Sequence, residues 1–414
     1  MLFGEQPPLP PTELSQPVQE LIVDASAHRV RAHRRGKQSA ISAESSERIL
    51  KTFLEMVQIP SPSGQETEMR QYVHEKLKAL GLQQYTTIDA PGNLILKLPS
   101  NVGSQRTVLI AVHLDVVPPC QNVKPVIEGS GDERIIRSSG DTVLGGDDKA
   151  SIAALLEALE LALKNNLPRP NLIIPITVRE EIGGQGAAEM DPKEYAGADV
   201  AFALDGNDEQ GRVIYAAPQL TTFEITVTGQ SAHSGFEPEK GANAIQAMTI
   251  AVSKFRQGRL DPITTANVGS IHGGKKFNIV PDKVVAMGEV RSLEPKRVDE
   301  EISDMKQKLD EAVRQVPGTR YAWQHQNLIL AYQTDLDQPI FEPLKQAMRD
   351  TGLELRPCTS NGGSDVNVFA AHGIPSVVLS GAYYNPHQVN EYVKLKDMMT
   401  LTQLLLNLMR NYAR

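Results

Sequence analysis

The sequence predicts an α/β protein in which a mostly parallel sheet, flanked by helices, is interrupted by an inserted α+β unit. In the first and last parts of the chain, short apolar runs alternate with helical segments, which is typical of a parallel sheet. Between about residues 220 and 332 the order of elements becomes β-α-β-β-α-β, which indicates a ferredoxin-like unit.

The predicted strands of the parallel sheet are short apolar runs that can be buried on both faces. They cover residues 93–98, 107–112, 172–178, 200–204 and 376–379. Helices are predicted for the apolar periodicity near residues 49–57, for 65–80, which Gly81 ends, and for 149–163.

The inserted unit has its own alternation of elements. Strands are predicted at residues 223–228, 265–271, 284–290 and 321–328, and helices at 242–255 and 298–316. The predicted organisation is therefore an N-terminal arm (1–45), an α/β domain in two parts (46–219 and 333–414) and the inserted domain (220–332).

Composition limits the possible functions. The 414 residues carry a net charge of −8, which gives no general electrostatic case for nucleic-acid binding. No apolar run is long enough to span a membrane, and prolines at positions 7–11 interrupt any secretory pattern. With only two cysteines, a disulfide framework is excluded and a cytoplasmic location is expected.

The arm contains a basic cluster, formed by Arg29, Arg31, Arg34, Arg35 and Lys37. A surface helix or a partly ordered arm is the simpler interpretation. A contact with a partner subunit or an acidic surface is the alternative.

Acidic and histidine side chains follow the ends of the predicted strands or lie in a Gly-rich turn before a helix. They are His113, Asp115, Asp147, Asp148, Glu180, Glu181, Asp205 and His387. Each alone is more commonly a hydrogen-bonded loop residue or a helix N-cap. Because strand ends of a parallel sheet meet at one edge, we expect these residues on one rim, where so many carboxylates need cations between them.

This rim predicts a site for two metal ions. Histidine and oxygen ligands without cysteine suit Zn, Mn or Co better than Ca or Mg. Two ions about 3.5–4 Å apart require a bridging carboxylate and activate a shared water. In the pair Glu180–Glu181, one carboxylate can bind metal while its neighbour takes the proton of the water. Asp115, two residues after His113, is suited to accept the ring N–H.

The sequence lacks the motifs of a phosphate-binding loop, a serine hydrolase or a cysteine protease. The segment GGDDKAS lacks the spacing of a phosphate-binding loop, and no G-x-S-x-G segment is present. Neither Cys120 nor Cys358 lies in a recognisable protease signature.

Five segments, HLD, GGDDKA, REEIGG, LDG and NPHQVNE, resemble the co-catalytic zinc exopeptidase family that includes peptidase T, carboxypeptidase G and the acyl-amino-acid deacylases. They occur in the family's order, and the resemblance covers about residues 46–412. The segments SAHSGFEPEKGANAI and TTANVGSIHGGKKFNIVPDKVVAMGEVRS resemble the peptidase T-like subgroup. The resemblance implies that the α/β domain is catalytic and that the inserted domain is a lid that also forms a homodimer.

The same resemblance implies five metal ligands: His113, Asp147, Glu181, Asp205 and His387. Asp147 would bridge the two ions. His113 and Asp205 would complete one metal site, and Glu181 and His387 the other.

The remaining catalytic roles are also implied by the resemblance. Glu180 would be the general base and acid, Asp115 would orient His113, and Asp148 would be auxiliary. Arg179, directly before the glutamate pair, departs from the family pattern. It is predicted to lower the pKa of Glu180 or to contact the substrate.

For substrate binding, the resemblance implies that His233 reaches across the dimer to stabilise the oxyanion in the partner's active site; a plain loop histidine is the alternative. Asn278 and Arg291 would line the substrate end, where Arg291 suits a carboxylate or a carbonyl. Gly363 and Ser364 would belong to a substrate-facing loop, residues 362–365.

Three functions follow as hypotheses. The first is an aminopeptidase or tripeptidase acting on short peptides with two divalent metal ions, Zn or else Co or Mn. The second keeps the metal centre but makes the protein a carboxypeptidase or an N-acyl-amino-acid amidohydrolase. The third, a metal-binding protein without catalysis, is disfavoured because neither a ligand nor the base is missing. Neither a nucleic acid nor a membrane is expected as a partner.

Overall fold

The computed structural model describes residues 41–414, so the predictions for the basic cluster lie outside the described residues. Its helices are α1 (Ala43–Val57), α2 (Thr67–Ala79), α3 (Gly146–Lys164), α4 (Gln185–Ala188), α5 (Ala244–Val252), α6 (Pro295–Gln315), α7 (Glu342–Thr351), α8 (Val366–Ala371) and α9 (Leu395–Tyr412). Within this part of the chain, no helix is long and apolar enough to cross a bilayer.

The strands form three sheets. The largest contains β1 (Thr86–Ile88), β2 (Leu94–Leu98), β3 (Thr107–His113), β6 (Asn171–Thr177), β7 (Val200–Gly206), β8 (Arg212–Ala217), β14 (Tyr332–Gln333), β15 (Arg356–Thr359) and β16 (Ser376–Ser380). The second contains β9 (Gln219–Thr228), β10 (Gly258–Asp261), β11 (Thr264–Gly273), β12 (Lys283–Ser292) and β13 (Arg320–Ile329). The third contains β4 (Pro125–Glu128), β5 (Ile135–Ser138), β17 (Tyr383–Tyr384) and β18 (Tyr392–Lys394).

Four neighbouring strands at the centre of the large sheet, in the order β6-β3-β7-β16, are parallel. The flanking pairs β1–β2, β2–β6 and β8–β16 are antiparallel. The central strands are apolar and almost wholly buried, which is the expected property of strands covered on both faces. The predicted α/β class is confirmed, and the parallel part is the centre of the sheet.

Helices cover both faces of this sheet. The core on one face is formed largely by α1, α3, α7 and α9, and includes Phe53, Leu155 and Leu405. The core on the other face lies under α4 and α8 and includes Ala187 and Phe369. The two covered faces leave the strand ends as the accessible edge of the sheet.

The inserted unit has the strand order β10-β11-β12-β9-β13, with every neighbouring pair antiparallel. Apart from the short extra strand β10, this is the predicted β-α-β-β-α-β arrangement. Helices α5 and α6 pack on one face, where Ile225, Met248 and Leu309 form a separate core.

The third sheet was not predicted from the sequence. Its strands have only two to four residues, too few to show a strand periodicity. Its members β17 and β18 lie on either side of the segment that carries His387, so this sheet holds that segment beside the large one.

Candidate metal centre

The candidate metal centre lies at the carboxyl edge of the four parallel strands. His113 is the last residue of β3, and Asp205 is the penultimate residue of β7. Glu180 and Glu181 follow the end of β6, and His387 follows β16 and β17. Because these strands are neighbours and run in the same direction, their ends bring together residues that are far apart in the sequence.

Asp147 stands between two groups of candidate ligands. Its Oδ1 lies 3.0 Å from Nε2 of His113, and its Oδ2 lies 3.5 Å from Nε2 of His387. Asp205 Oδ1 lies 3.7 Å from the His113 nitrogen. Glu181 Oε2 lies 2.8 Å from the His387 nitrogen. Each oxygen of Asp147 therefore faces its own histidine–carboxylate pair, which is the arrangement a bridging ligand requires.

The turn before α3 presents Asp147. Gly146, Asp147 and Asp148 precede the regular helix, and both aspartates have non-helical backbone angles, so the helix proper begins at Lys149 as predicted. Asp148 is fully buried and accepts the backbone N–H of His113 at 3.2 Å. Its carboxylate therefore contacts the main chain of His113 and not the side chain of a candidate ligand.

Asp115 contacts both His113 and the pair Glu180–Glu181. The Nδ1 of His113 lies 3.0 Å from the backbone oxygen of Asp115 and 3.6 Å from its Oδ1. The carboxylate accepts the backbone N–H groups of Glu180 and Glu181 at 2.9 and 3.1 Å, and the hydroxyl of Ser63 at 2.7 Å. Asp115 thus positions the glutamate pair, while its main chain makes the shorter contact with the imidazole.

The carboxylate of Glu180 lies inside the site. It offers an oxygen within 4.8 Å of ligand atoms of both His113 and Asp205. Arg179 points away, because its guanidinium pairs with Glu189 at 2.6 Å. Burial and neighbouring carboxylates raise the pKa of Glu180, and the Arg179 guanidinium is paired elsewhere, so the structure does not support the prediction that Arg179 lowers this pKa.

The two histidines are surrounded by negative charge. Burial alone would lower the pKa of His113, but hydrogen bonds with Asp115 and Asp147 raise it well above its usual value. Hydrogen bonds with Asp147 and Glu181 raise the pKa of His387 to about 10. The site therefore has a strong affinity for positive charge, whether from protons or from cations.

The carboxylates of the candidate metal centre have too few hydrogen-bond donors to satisfy all of their oxygens. Burial raises the pKa of Glu181 to about 7 and raises that of Asp205 as well. Glu181 Oε1 is buried and has no hydrogen-bond partner among residues 41–414. Two imidazoles and several crowded carboxylates, with an unsatisfied buried oxygen, fit divalent metal ions that take nitrogen and oxygen ligands.

We expect the metal-free protein to become less stable as the pH rises from 5.5 to 8. Burial raises the pKa of Glu181 and of Asp365 to about 7. A raised carboxyl pKa stabilises the fold below the pKa of the unfolded chain, about 4, and that stability is lost as the pH passes 7. Between pH 5.5 and 8 the loss is at most about 2 kcal/mol for each carboxyl, and it is smaller because the groups share protons.

Thermal unfolding of chelator-treated protein at pH 5.5 and pH 8 measures this effect. The same protein reloaded with Zn is the control, and its melting temperature should fall less or should rise, because cations then replace the protons. A metal-free protein that melts at a higher temperature at pH 8 would contradict this assignment of charge.

Glu391 is a functional residue that sequence reasoning did not single out, although it ends the segment NPHQVNE. It is 1% exposed, and its carboxylate accepts the backbone N–H groups of Leu144, Gly145 and Asp147 at 2.8, 2.8 and 2.9 Å. A Cβ on Gly146 would lie 2.9 Å from its Oε1, so the turn closes tightly around this carboxylate. Glu391 thus ties the segment of His387 to the loop of Asp147.

We expect Glu391→Gln to weaken metal binding by about 10- to 100-fold, the range typical of residues that support a ligand. The amide puts a donor opposite backbone N–H groups, so Asp147 loses its fixed position. Titration of Zn into the metal-free protein measures the change. Glu301→Gln is the matched control, because Glu301 is equally buried but pairs with Arg256 on the lid. Unchanged metal affinity together with lower thermal stability would assign Glu391 a purely structural role.

Tyr383 is a second residue that was not predicted. Its hydroxyl donates to Oδ1 of Asp205 at 2.9 Å, and the side chain is almost fully buried. It lies in the segment before His387, so the residues preceding this histidine also orient the aspartate.

The predicted lid residues lie apart from the hydrogen-bond network of the metal centre. The ring of His233 packs on Phe236 with centroids 4.3 Å apart, and its Nδ1 accepts the backbone N–H of Gly235. The backbone oxygen of Asn278 accepts from Ser234. These contacts within the described chain remain inside the lid, so this chain alone does not bring His233 to its own site.

Arg291 does reach the catalytic domain. It pairs with both oxygens of Glu289, and its Nη1 donates to the backbone oxygen of Asn361 at 3.2 Å. That contact places it beside the loop of Gly363 and Ser364. A Cβ on Gly363 would lie 2.6 Å from the side chain of Ile329, so the loop also packs closely on the lid strand β13.

Comparison with known proteins agrees with this architecture. A family model described as a peptidase dimerisation domain, M20_dimer, matches residues 215–317, and one described as M42 glutamyl aminopeptidase matches residues 132–221. The uncharacterized protein YqjE of Bacillus subtilis is 34% identical over 373 residues, which is 89% of this chain and 99% of that protein.

Two solved structures are similar in sequence and fold. The aminopeptidase PepT of Bacillus cereus is 31% identical, with a TM-score of 0.79. A tripeptidase of Staphylococcus aureus is 31% identical, with a TM-score of 0.82. Each match covers 89% of this chain and 99% of the other. With the metal-centre geometry described above, these similarities establish that the chain belongs to the M20 metallopeptidases, in their peptidase T-like subgroup.

Proposed function

We propose that this protein is a two-metal exopeptidase that releases the N-terminal residue of short peptides. The observation that carries the proposal is the position of Asp147, with one oxygen toward His113 and the other toward His387, while Glu180 offers an oxygen near ligand atoms of His113 and Asp205. The similarity to an aminopeptidase and a tripeptidase over nearly their whole length supports the substrate class.

In the proposed mechanism, His113, Asp147 and Asp205 would hold one metal ion, and Asp147, Glu181 and His387 would hold the other. The bound ions would supply Lewis acidity, which lowers the pKa of water and polarises the scissile carbonyl. Zinc is the expected metal, with cobalt or manganese as alternatives.

Glu180 moves the proton. Its carboxylate takes a proton from the attacking water and delivers it to the leaving amine. Burial and nearby carboxylates raise its pKa, so the carboxyl can retain the proton between these two steps. Asp115 holds the backbone N–H of Glu180 at 2.9 Å and so fixes where the base stands.

A panel of short peptides with free and blocked termini tests the proposal. We expect metal-reconstituted protein to cleave tripeptides with a free amine, and to lose this activity when the amine is acetylated. Amidation of the carboxyl end should have the smaller effect. The opposite result would favour a carboxypeptidase or an N-acyl-amino-acid amidohydrolase.

One observation keeps that alternative in the test. Arg291 lies beside the substrate-facing loop and is a cation suited to a free carboxylate. However, the guanidinium of Arg291 already forms a bidentate ion pair with Glu289, at 2.8 and 3.0 Å. A substrate carboxylate must therefore displace Glu289, which disfavours recognition of that terminus.

The proposal includes a homodimer formed through the lid, in which His233 completes the partner's site. The exposed aromatic side chains of the lid, Phe236 and Phe277, are 81% and 100% exposed, which is consistent with a surface that meets another chain. The proposal also includes a cytoplasmic location and short peptides as substrates. Neither a nucleic acid nor a membrane is proposed as a partner.

Mixing two inactive variants tests the role of His233. We expect His233→Ala to lower kcat by about 100- to 1,000-fold, as for loss of an oxyanion donor. When it is mixed with Glu180→Gln and the subunits exchange, activity should return, because one site of the mixed dimer then has both groups. Absence of recovery in dimers shown to have exchanged would place the action of His233 within its own chain.

A further inference from the structure

An apolar pocket of about 270 Å³ lies where the lid meets the catalytic domain. Its walls are α4, α8 and the end of β13, and we call it the seam pocket. Its apolar lining residues are Ala188, Leu328, Ile329, Leu330, Val368 and Ala371. Leu330 is 47% exposed, so the pocket is open to solvent and accessible to a ligand.

The seam pocket shares a wall with the metal centre. Gly183 and Gly184 line it, and both donate their backbone N–H groups to the oxygen of Glu180, at 2.9 and 2.7 Å. The turn that carries the proposed general base is therefore also the floor of this pocket. Because this turn borders both the base and the pocket, a side chain next to the scissile bond is the part of a bound peptide that would face the pocket.

A buried hydroxyl in the pocket lacks a partner. Ser364 lines the pocket and is 6% exposed, yet its Oγ makes no hydrogen bond within residues 41–414. Its position is fixed, because its N–H donates to Asn367 Oδ1 at 2.9 Å and Asn367 donates to the oxygen of Leu330 at 2.7 Å. An unsatisfied buried hydroxyl is unfavourable, and a peptide N–H or C=O would satisfy it.

The lining limits the chemistry of the occupant. Among residues 41–414, the lining contains no Asp, Glu, Lys or Arg, and its one titratable residue, His372, has a ring nitrogen 2.9 Å from the oxygen of Val368. A charged side chain would therefore lose its hydration without gaining a counter-ion. Pockets for complete small-molecule ligands span about 300–1,000 Å³, so this smaller volume suits a single side chain.

We propose that the seam pocket binds one large apolar side chain of the substrate, such as Leu, Met or Phe, next to the scissile bond. The protein would then select peptides by this side chain, with Ser364 binding the adjacent peptide group. This inference rests on the proposed function, because it assigns a specificity pocket to that same site.

Two series of tripeptides test it, Xaa-Ala-Ala and Ala-Xaa-Ala, with Xaa as Ala, Leu, Phe, Asp or Lys. Each methylene that a pocket accommodates changes kcat/KM by about 10- to 200-fold. In one of the two series, we expect Leu and Phe to exceed Ala by at least about 10-fold, and Asp and Lys to fall below Ala.

Filling the pocket should remove this preference. Ala371 is the last residue of α8 and is exposed, so Ala371→Phe is expected to leave the fold intact. It should lower kcat/KM for the Leu peptide by about 10-fold and leave that for Ala-Ala-Ala nearly unchanged. The matched control is Ala79→Phe, an exposed alanine that ends α2, which should alter neither substrate.

The outcomes are distinct. Equal cleavage of Ala, Leu and Asp peptides by the wild-type protein would overturn the pocket assignment and leave the proposed function standing. An equal loss of Ala and Leu cleavage in Ala371→Phe would also overturn the assignment without affecting the proposed function. No cleavage of any free tripeptide by the metal-loaded protein would overturn the proposed function, and this inference with it.

Discussion

Glu180→Gln is expected to lower kcat by about 100- to 10,000-fold while the metal content stays unchanged. Glutamine has nearly the same shape but cannot accept a proton from water at neutral pH. The backbone N–H of residue 180 would still bond to Asp115, so the loop should keep its position. The loss would then report proton transfer alone.

Metal content distinguishes a base from a ligand at position 180. An oxygen of Glu180 lies in a group with ligand atoms of His113 and Asp205, and that group by itself resembles a metal site. Metal content should therefore be measured by elemental analysis together with kcat. Glu181→Gln is the comparison, because loss of a proposed ligand should release an ion. If Glu180→Gln also releases one, Glu180 is a ligand and the proton acceptor lies elsewhere.

Asp147→Asn is expected to weaken the binding of both metal ions. Its two oxygens face different histidines, so this carboxylate is placed to contact both ions. The loss should exceed about 100-fold, the upper end for residues that only support a ligand. Asparagine keeps the volume but removes the charge and one oxygen acceptor, so the fold of the turn should survive.

Asp205→Asn gives the contrast. Asp205 lies near His113 and not His387. Its replacement should therefore weaken the binding of one ion and leave the second ion bound. Calorimetric titration of the metal-free variants resolves the number of sites. A single weakened site in Asp147→Asn, with the other at wild-type affinity, would refute the bridging role.

Much of the architecture was predictable because its elements are local patterns. The central strands have five to seven residues, most of them apolar, and such runs indicate buried strands without knowledge of their partners. The helices of the lid were equally visible from periodicity. The short strands of the third sheet were not, because two to four residues have no period to detect.

The candidate ligands were predictable for a related reason. Parallel strands put their carboxyl ends at one edge, so His113, Asp205 and the glutamate pair could be grouped before any distance was known. Residue type then predicted metal, since so many carboxylates do not share a rim without cations. The roles of individual residues came from the family resemblance, and they await the experiments above.

Glu391 and Tyr383 differ, because what they do depends on contacts across long distances in the chain. Glu391 bonds to the backbone of Asp147, 244 residues away, and Tyr383 reaches Asp205 across 178 residues. A carboxylate that accepts backbone N–H groups does not require a particular residue type as its partner. The sequence therefore does not indicate which residues it contacts.

The sequence by itself was therefore sufficient to predict the α/β class, the inserted unit and a metal-binding rim, because periodicity and residue chemistry are properties of short segments. The tertiary structure decided which oxygen of Asp147 faces which histidine, which buried carboxylate anchors that turn, and where an apolar pocket opens beside the base. Those features arise only when separate segments pack to within a few ångströms, and their geometry is a property of the packing.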